Sequence, residues 1–124
     1  MSIMPKSRRA PLAKAFALLL AGLWIAQAPL RAEGMCGPST NVKVIVYYDG
    51  TVTLWSDWRN NWTQLCNLDQ PWGGVSTSTC FAWFAKVNAA INDGKPVSIW
   101  YNLDPLNCAT LPVYGSAPVP VYIE

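Results

Sequence analysis

Aromatic rings alternate with amides and carboxylates between residues 56 and 74, and this Trp-rich segment is the part of the chain best suited to chemistry. An indole ring stacks on the apolar face of a sugar, while neighbouring Asn, Asp and Gln side chains hydrogen-bond its hydroxyl groups. A flat apolar surface with a few polar groups is typical of a ligand site. The pattern therefore predicts a glycan-binding surface. The candidate ligand-binding residues are Trp58, Trp62, Trp72, Asp57, Asn61 and Asp69.

Two other interpretations of the Trp-rich segment remain open. Asp57 and Asp69 could form the carboxylate pair of a small glycosidase-like enzyme, or they could be solvated loop residues. The tryptophans could instead fill a core that is poor in Leu and Ile, although Trp is rarely buried completely. We expect Trp55 and Trp83 in the core, and leave open whether the three candidate tryptophans lie at the surface or in the core.

No histidine occurs in the chain, which excludes His-based acid–base pairs, catalytic triads and imidazole metal sites. If the cysteines are oxidised, no thiolate is available as a nucleophile either. We therefore predict no catalytic residue, no cofactor and no metal.

Four cysteines, an even number, predict two disulfides in an exported domain. The spacing holds no C-x-x-C pair, so a zinc site is not predicted. Three pairings are open. We favour Cys66–Cys80 with Cys36–Cys108, because Cys66 ends a predicted strand and Cys80 opens a predicted helix after a loop.

The N-terminal segment has the pattern of a secretory signal. Basic residues precede position 15, and an uncharged apolar run then spans residues 15–30, too short for the ~20 residues of a bilayer span. Ala32 suits the last position before cleavage, so we predict a signal peptide, residues 1–32, and a single exported domain, residues 33–124. The protein would then reside in the periplasm or outside the cell, with no membrane span after cleavage.

Removal of the signal reverses the net charge. The full chain has nine basic and seven acidic residues, a formal charge of +2, whereas residues 33–124 keep four basic and all seven acidic residues, a charge of −3. An acidic domain is a poor partner for a phosphate backbone, so nucleic acid is not an expected partner.

A helix followed by a strand organises the rest of the chain. Ser78 or Thr79 is the predicted N-cap, Gly94 ends the helix in the left-handed conformation, and residues 97–101 alternate with the period of a strand. The apolar helix face is formed by Cys80, Phe84, Val87 and Ile91, and is widened by Phe81, Trp83 and Ala90.

Before the helix, residues 42–48 and 51–55 read as an antiparallel hairpin around Asp49-Gly50, a pair typical of a two-residue type I′ turn. That loop length pairs Tyr48 with Thr51. The core face of the hairpin would then carry Ile45, Tyr47, Val52 and Leu54.

The remaining elements are a third strand near residues 62–68 and a final edge strand at 119–123, after an irregular lead-in at 33–41. The predicted class is α+β, a small disulfide-bonded domain of order βββ-α-ββ. Two architectures share this order: an OB-fold-like barrel and a half-open antiparallel sheet packed on one helix.

The passage from the helix into the following strand contains Cys80, Trp83, Phe84, Ala89, Ala90, Gly94, Val97 and Ile99. With these residues it resembles the same passage in the OB-fold B subunits of bacterial toxins of the subtilase-cytotoxin and pertussis-like kind. The toxin resemblance implies an exported, disulfide-bonded OB-fold that binds host glycans as a pentamer, and no receptor-binding residue is carried over. The chain also resembles small exported bacterial proteins of unassigned function.

These observations predict an exported, non-enzymatic binding module whose ligand is a glycan, held by the Trp-rich surface. The alternative is a periplasmic protein-interaction factor, either an inhibitor or an envelope assembly partner. A glycan and an envelope or host protein are the compatible partners, and a homo-oligomer is compatible with either function.

Overall fold

The computed structural model describes residues 34–124, and the predicted signal peptide, residues 1–32, lies outside this range, as does Glu33. The domain is α+β, as predicted. No helix in the described range is long and apolar enough to cross a membrane. The elements are β1 (Met35–Ser39), β2 (Val42–Val46), β3 (Thr51–Ser56), β4 (Asn61–Asn67), α1 (Thr77–Asp93), β5 (Val97–Tyr101), a 3-10 helix (Cys108–Thr110) and β6 (Pro120–Ile123).

The strands form two three-stranded antiparallel sheets, ordered β1-β5-β6 and β2-β3-β4, which we call the first and second sheet. They do not close into a barrel, so the OB-fold-like alternative was wrong. The order is ββββ-α-ββ, because β1 occupies part of the segment predicted as an irregular lead-in. Gly37 and Pro38 weaken its strand pattern, and the pairing with β5 shifts register between Cys36 and Ser39.

One buried cluster joins the elements. Val52 and Leu54 of β3, Ile99 of β5 and Val87 of α1 are all fully buried in it. Helix α1 contacts β2 and β4 of the second sheet and β6 of the first. The core face of each sheet is therefore covered. The opposite face of the second sheet is only partly open to solvent, because Tyr47 is exposed on it whereas Thr53 and Gln64 are buried.

The β2–β3 hairpin has a different register from the predicted one. The Tyr47 N–H donates to the Thr51 carbonyl and the Gly50 N–H donates to the Tyr47 carbonyl, which makes a three-residue loop with Gly50 at φ +86°. The strands pair Val44 with Leu54 and Ile45 with Thr53. A one-residue slip exchanges the two faces of a strand.

The slip changes which residues of β2 reach the core. Ile45 and Tyr47 were predicted to be core residues but are 40% and 41% exposed. Val42 is buried, and Val44 packs against the core.

Helix α1 begins two or three residues earlier than predicted. The Ser76 hydroxyl, and not Ser78 or Thr79, accepts the Thr79 N–H at 3.2 Å. The predicted end is confirmed: Gly94 is left-handed, and the Lys95 N–H donates to the Ala90 carbonyl. Phe81 was expected to widen the apolar face but is 65% exposed, so it lies off that face.

Two disulfides connect distant parts of the domain, in the pairing favoured from the sequence. Cys36–Cys108 joins β1 to the 3-10 helix, and Cys66–Cys80 joins β4 to the first turn of α1. No free cysteine remains among the described residues.

Candidate functional site

The face of the second sheet that points away from the core, which we call the outer face, carries the candidate site. Side chains alternate along a strand, so the neighbours of the buried residues Val52 and Leu54 point outward. The cross-strand register then places these outward residues side by side. The outer face comprises Lys43, Ile45 and Tyr47 from β2 and its extension, Thr51, Thr53 and Trp55 from β3, and Trp62 and Gln64 from β4.

Two tryptophans lie side by side on the outer face. Trp55 and Trp62 are directly opposite one another on β3 and β4, and both are half-buried. Residues opposite each other on antiparallel strands have Cβ atoms about 5 Å apart, so the two indoles are neighbours. The Lys43 Nζ lies 5.3 Å from the centroid of the Trp55 ring, within cation–π range.

A cleft of about 220 Å³, which we call the outer cleft, opens at the hairpin end of this face. The chain around residue 114 forms one side of it by running next to β4. There the Tyr114 N–H donates to the Trp62 carbonyl at 2.8 Å, and the Gln64 N–H donates to the Tyr114 carbonyl at 3.0 Å. The outer cleft is lined by Tyr47, Asp49, Thr51, Thr53, Gln64, Tyr114 and Gly115.

The electrostatic character of the outer cleft is acidic. The Asp49 carboxylate accepts a hydrogen bond from the Thr51 N–H at 3.1 Å, and this bond, together with the Thr51 side chain, lowers the pKa of Asp49. Asp49 is therefore ionised at neutral pH. Asp69 approaches Gly50 at the same hairpin tip. No Lys or Arg lines the cleft.

Thr53 has an unusual position in the outer cleft. Its side chain is only 1% exposed, and its Oγ1 has no hydrogen-bond partner. Gln64, which lies opposite Thr53, donates from Nε2 to the Cys66 carbonyl at 3.4 Å. Because nearly all buried polar groups in proteins have partners, the Thr53 hydroxyl is a group whose partner is still to be identified.

The structure does not bring the three candidate tryptophans together. Trp62 lies on the outer face. Trp58, in the β3–β4 turn, packs against the core and would be 3.2 Å from a Cβ placed on Gly37. Trp72 pairs with Val75 in the turn before α1. Of the two tryptophans expected in the core, Trp83 packs against it, whereas Trp55 lies on the outer face.

The candidate polar residues are also dispersed. Asp57 is exposed in the β3–β4 turn, and Asn61 accepts the Trp62 N–H at the start of β4. Asp69 follows the other end of β4, so the length of that strand separates it from Asp57 by roughly 20 Å. A glycosidase pair needs carboxyl groups about 5–10 Å apart, so Asp57 and Asp69 do not form one.

Several residues of the outer face were not predicted as site residues. Trp55 and Tyr47 were assigned to the core, and Asp49 was interpreted as a turn residue only. Alternation along β3 could have identified Trp55 and Thr53 without the hairpin register, because Val52 and Leu54 were correctly predicted to be core residues. Tyr114 could not have been found locally, because it joins the site through a contact with a strand about 50 residues earlier in the chain.

Three larger hollows lie elsewhere. One, of about 540 Å³, is lined by residues of β1 and β5, including Met35 and Ser98. A second, of about 330 Å³, lies between α1 and β5 and includes Lys86. The third, of about 340 Å³, lies between the start of α1 and β6, and Trp83 is its one aromatic residue. None of the three contains an unpartnered buried polar atom. The outer cleft is therefore the better candidate for recognising a polar ligand.

Searches against protein-family models, curated proteins and solved structures found no match to this chain. Within residues 34–124, no group of His, Cys, Asp or Glu side chains is arranged to hold a metal ion. The chemistry of the outer face is therefore the basis for a functional hypothesis.

Proposed function

We propose that this protein is an exported, non-enzymatic binding module that recognises a glycan through the outer face of its second sheet. The observation that carries the proposal is the Trp55–Trp62 pair next to the outer cleft. Two half-buried indoles at opposing positions of β3 and β4 offer apolar ring surface, and the cleft at the hairpin end of the same face offers hydroxyl, amide and carboxylate groups. Sugars present the same combination of apolar faces and hydroxyl edges.

The size of the outer cleft suits a single residue of a longer glycan. Its volume of about 220 Å³ lies below the roughly 300 Å³ at which pockets for whole drug-sized ligands begin. The cleft would therefore accept one sugar residue, and neighbouring residues of the glycan would extend over Trp62 and Trp55.

Export is part of the proposal. It is supported by the basic and apolar N-terminal sequence and by two disulfides in the described domain, since disulfides persist in oxidising compartments. The resemblance to toxin B subunits also implied glycan binding. The proposal does not depend on it, because it rests on the Trp55–Trp62 pair and the outer cleft.

A glycan array probed with protein purified after production from the full chain tests the proposal. Calorimetric titration with the best array ligand then compares Trp62→Ala with Trp100→Ala. Trp100 is a matched control, because it is also half-buried but stacks on Tyr122 in the first sheet.

We expect Trp62→Ala to weaken binding by about 1–3 kcal/mol, the range for aromatic stacking on nucleic-acid bases. Trp100→Ala should leave the affinity unchanged. An array without any bound glycan, or equal losses in both variants, would contradict glycan binding on this face.

One observation favours the alternative, a protein-interaction factor. Strand β2 is an edge of the second sheet, with Ile45 and Val46 exposed on it and Tyr48 fully exposed at the hairpin tip. An edge strand with apolar side chains can pair with an extended segment of a partner. Substitution of Val46 by Lys on that edge would abolish binding to such a partner, whereas glycan binding would persist.

A further inference from the structure

The Thr53 hydroxyl is a buried polar group of the outer cleft that has no hydrogen-bond partner within the described residues. A buried hydroxyl without a hydrogen bond costs about 1–3 kcal/mol. Thr63, on the core face of the same sheet, avoids this cost by donating to the Leu54 carbonyl at 3.5 Å. Thr53 is equally buried, lines the cleft and has no such partner. A polar ligand atom at the cleft floor would satisfy it once a covering side chain, such as that of Gln64, moves aside, because Oγ1 itself is buried.

The charges around the cleft indicate what kind of ligand fits. Asp49 lines the cleft as an ionised carboxylate, and Asp69 lies at the same hairpin tip. The nearest basic residue on the outer face, Lys43, lies four residues before Tyr47, about 14 Å along the strand. It is engaged with the Trp55 ring. An anionic sugar in the cleft would meet the Asp49 carboxylate and no cation, whereas a cationic group would be attracted.

The aromatic residues of the cleft also favour a cationic ligand. Tyr47 and Tyr114 are both partly exposed and line the cleft together with Asp49. A ring face attracts a cation as well as the apolar face of a sugar. Tyrosine rings beside a carboxylate suit a sugar that carries a protonated amine, because the rings can contact the sugar ring while the carboxylate attracts the amine.

We propose that the outer cleft binds one sugar residue that carries a free, protonated amine, an inference that rests on the proposed function. The amine lies against the Asp49 carboxylate, the sugar ring lies against Tyr47 or Tyr114, and a ring hydroxyl pairs with the Thr53 hydroxyl. Acetylation of the amine removes its charge and with it the attraction to Asp49.

Calorimetric titrations with three trisaccharides test this assignment: the trimers of glucosamine, N-acetylglucosamine and glucose, in slightly acidic buffer of low ionic strength. The glucosamine trimer should bind about three- to ten-fold more tightly than the two neutral trimers, since hydrogen bonds to charged groups exceed neutral ones by about 1 kcal/mol. Added salt should reduce this preference, because an exposed charge pair is screened.

The Asp49→Asn variant tests the role of the carboxylate. Asparagine keeps the oxygen that accepts the Thr51 N–H, so the hairpin turn is preserved. The variant should bind the three trimers equally. Asp57→Asn is the matched control, because it removes the same charge from the opposite end of the sheet and should retain the preference for glucosamine.

The Thr53→Val variant tests the role of the hydroxyl. Valine has the same shape and removes the unpaired polar atom, so the melting temperature should be equal or higher. Affinity for the glucosamine trimer should nevertheless fall about three- to ten-fold. Thr63→Val is the control: it removes a bonded hydroxyl on the core face, so it should lower stability and leave affinity unchanged.

The outcomes separate this inference from the proposed function. Equal affinity of the parent protein for all three trimers, with no effect of Asp49→Asn, would overturn the amine assignment and leave glycan binding intact. If no trimer binds and the glycan array is also empty, both fail. A Thr53→Val variant that binds like the parent would overturn the assignment of the hydroxyl.

Discussion

Three buried hydroxyl groups have no hydrogen-bond partner within the described residues, on Thr53, Ser56 and Tyr101. Each is a polar group removed from water without a compensating hydrogen bond. Each therefore lowers the stability of the fold relative to a side chain in which a methyl group or a hydrogen atom replaces the hydroxyl. Thr53 lines a cleft that a ligand can enter. Tyr101 lies in the core with 1% of its surface exposed. Its burial changes the pKa of its hydroxyl group.

Burial raises the pKa of Tyr101 from its ordinary value of 10 to about 12. Below pH 10 the side chain is protonated in both the folded and the unfolded chain, and its contribution to stability is complete. As pH rises from 10 to 12, the unfolded chain loses the proton first. Stability therefore falls by about 2–3 kcal/mol over that window.

Tyr101→Phe should abolish that loss. Denaturant unfolding at neutral pH should show a variant as stable as the parent or slightly more stable, because the removed hydroxyl had no partner. Near pH 12 the variant should be more stable than the parent. Tyr48→Phe, at a fully exposed tyrosine, should follow the parent at every pH. Parallel pH profiles for the parent and Tyr101→Phe would contradict the assigned burial.

At the scale of single elements, the helix and the strand after it were predictable, because their determinants are local. The apolar period of residues 80–91 and the glycine at position 94 fixed the helix and its end. The cap was misplaced because residues 76–79 offer four hydroxyl groups of the same chemistry within one turn.

The hairpin shows why a local pattern can place a turn and still misplace a site. Asp49-Gly50 fits both a two-residue turn and a three-residue loop with glycine in the left-handed position. The two loops differ by one residue in register, and that residue decides which side chains reach the core. The part of the outer face that β2 and its extension contribute, including Tyr47 in the outer cleft, could not be derived until the register was known.

Gly50→Ala tests the observed loop. The glycine has φ +86°, and an added Cβ would lie 2.7 Å from Asn67 Oδ1 and 2.8 Å from the Asp69 backbone nitrogen. We expect a loss of about 2–4 kcal/mol from strain and steric conflict together.

Gly74→Ala is the matched control for Gly50→Ala. Gly74 has a similar φ of +82°, but a Cβ there would meet nothing within 4 Å. Its cost should be near 1 kcal/mol, from conformation alone. Chemical denaturation of both variants measures the difference, and equal losses would show that the Gly50 loop is not crowded.

At the scale of the whole molecule, two sheets and one helix share a single core that the disulfides connect. The sequence favoured the observed cysteine pairing, because Cys66 and Cys80 flank one loop. It did not indicate the division into two sheets, since that depends on pairing between β1 and β5, which lie some 60 residues apart. The approach of residue 114 to β4 is equally non-local.

Reduction of the disulfides should unfold the domain. Cys66–Cys80 closes a separation of 14 residues and Cys36–Cys108 one of 72, which correspond to about 3 and 4 kcal/mol of stabilisation through the unfolded chain. Their sum is comparable to the whole stability of a small domain, about 5–15 kcal/mol.

Circular dichroism melts with and without reductant measure this effect. Intact-mass analysis after alkylation provides the control and should detect no free thiol before reduction. A reduced protein with an unchanged melting temperature would contradict the stabilising role of the disulfides.

The central claim is that the ligand binds on the outer face of the second sheet, and the six indole N–H signals of the exported domain test it most directly. In a ¹⁵N–¹H NMR titration of the protein with the best glycan from the array, assigned by single Trp→Phe variants, the Trp55 and Trp62 signals should shift. The Trp72 and Trp100 signals should stay in place, because these side chains lie on other parts of the domain. Shifts confined to Trp72 or Trp100, with Trp55 and Trp62 unchanged, would contradict the claim.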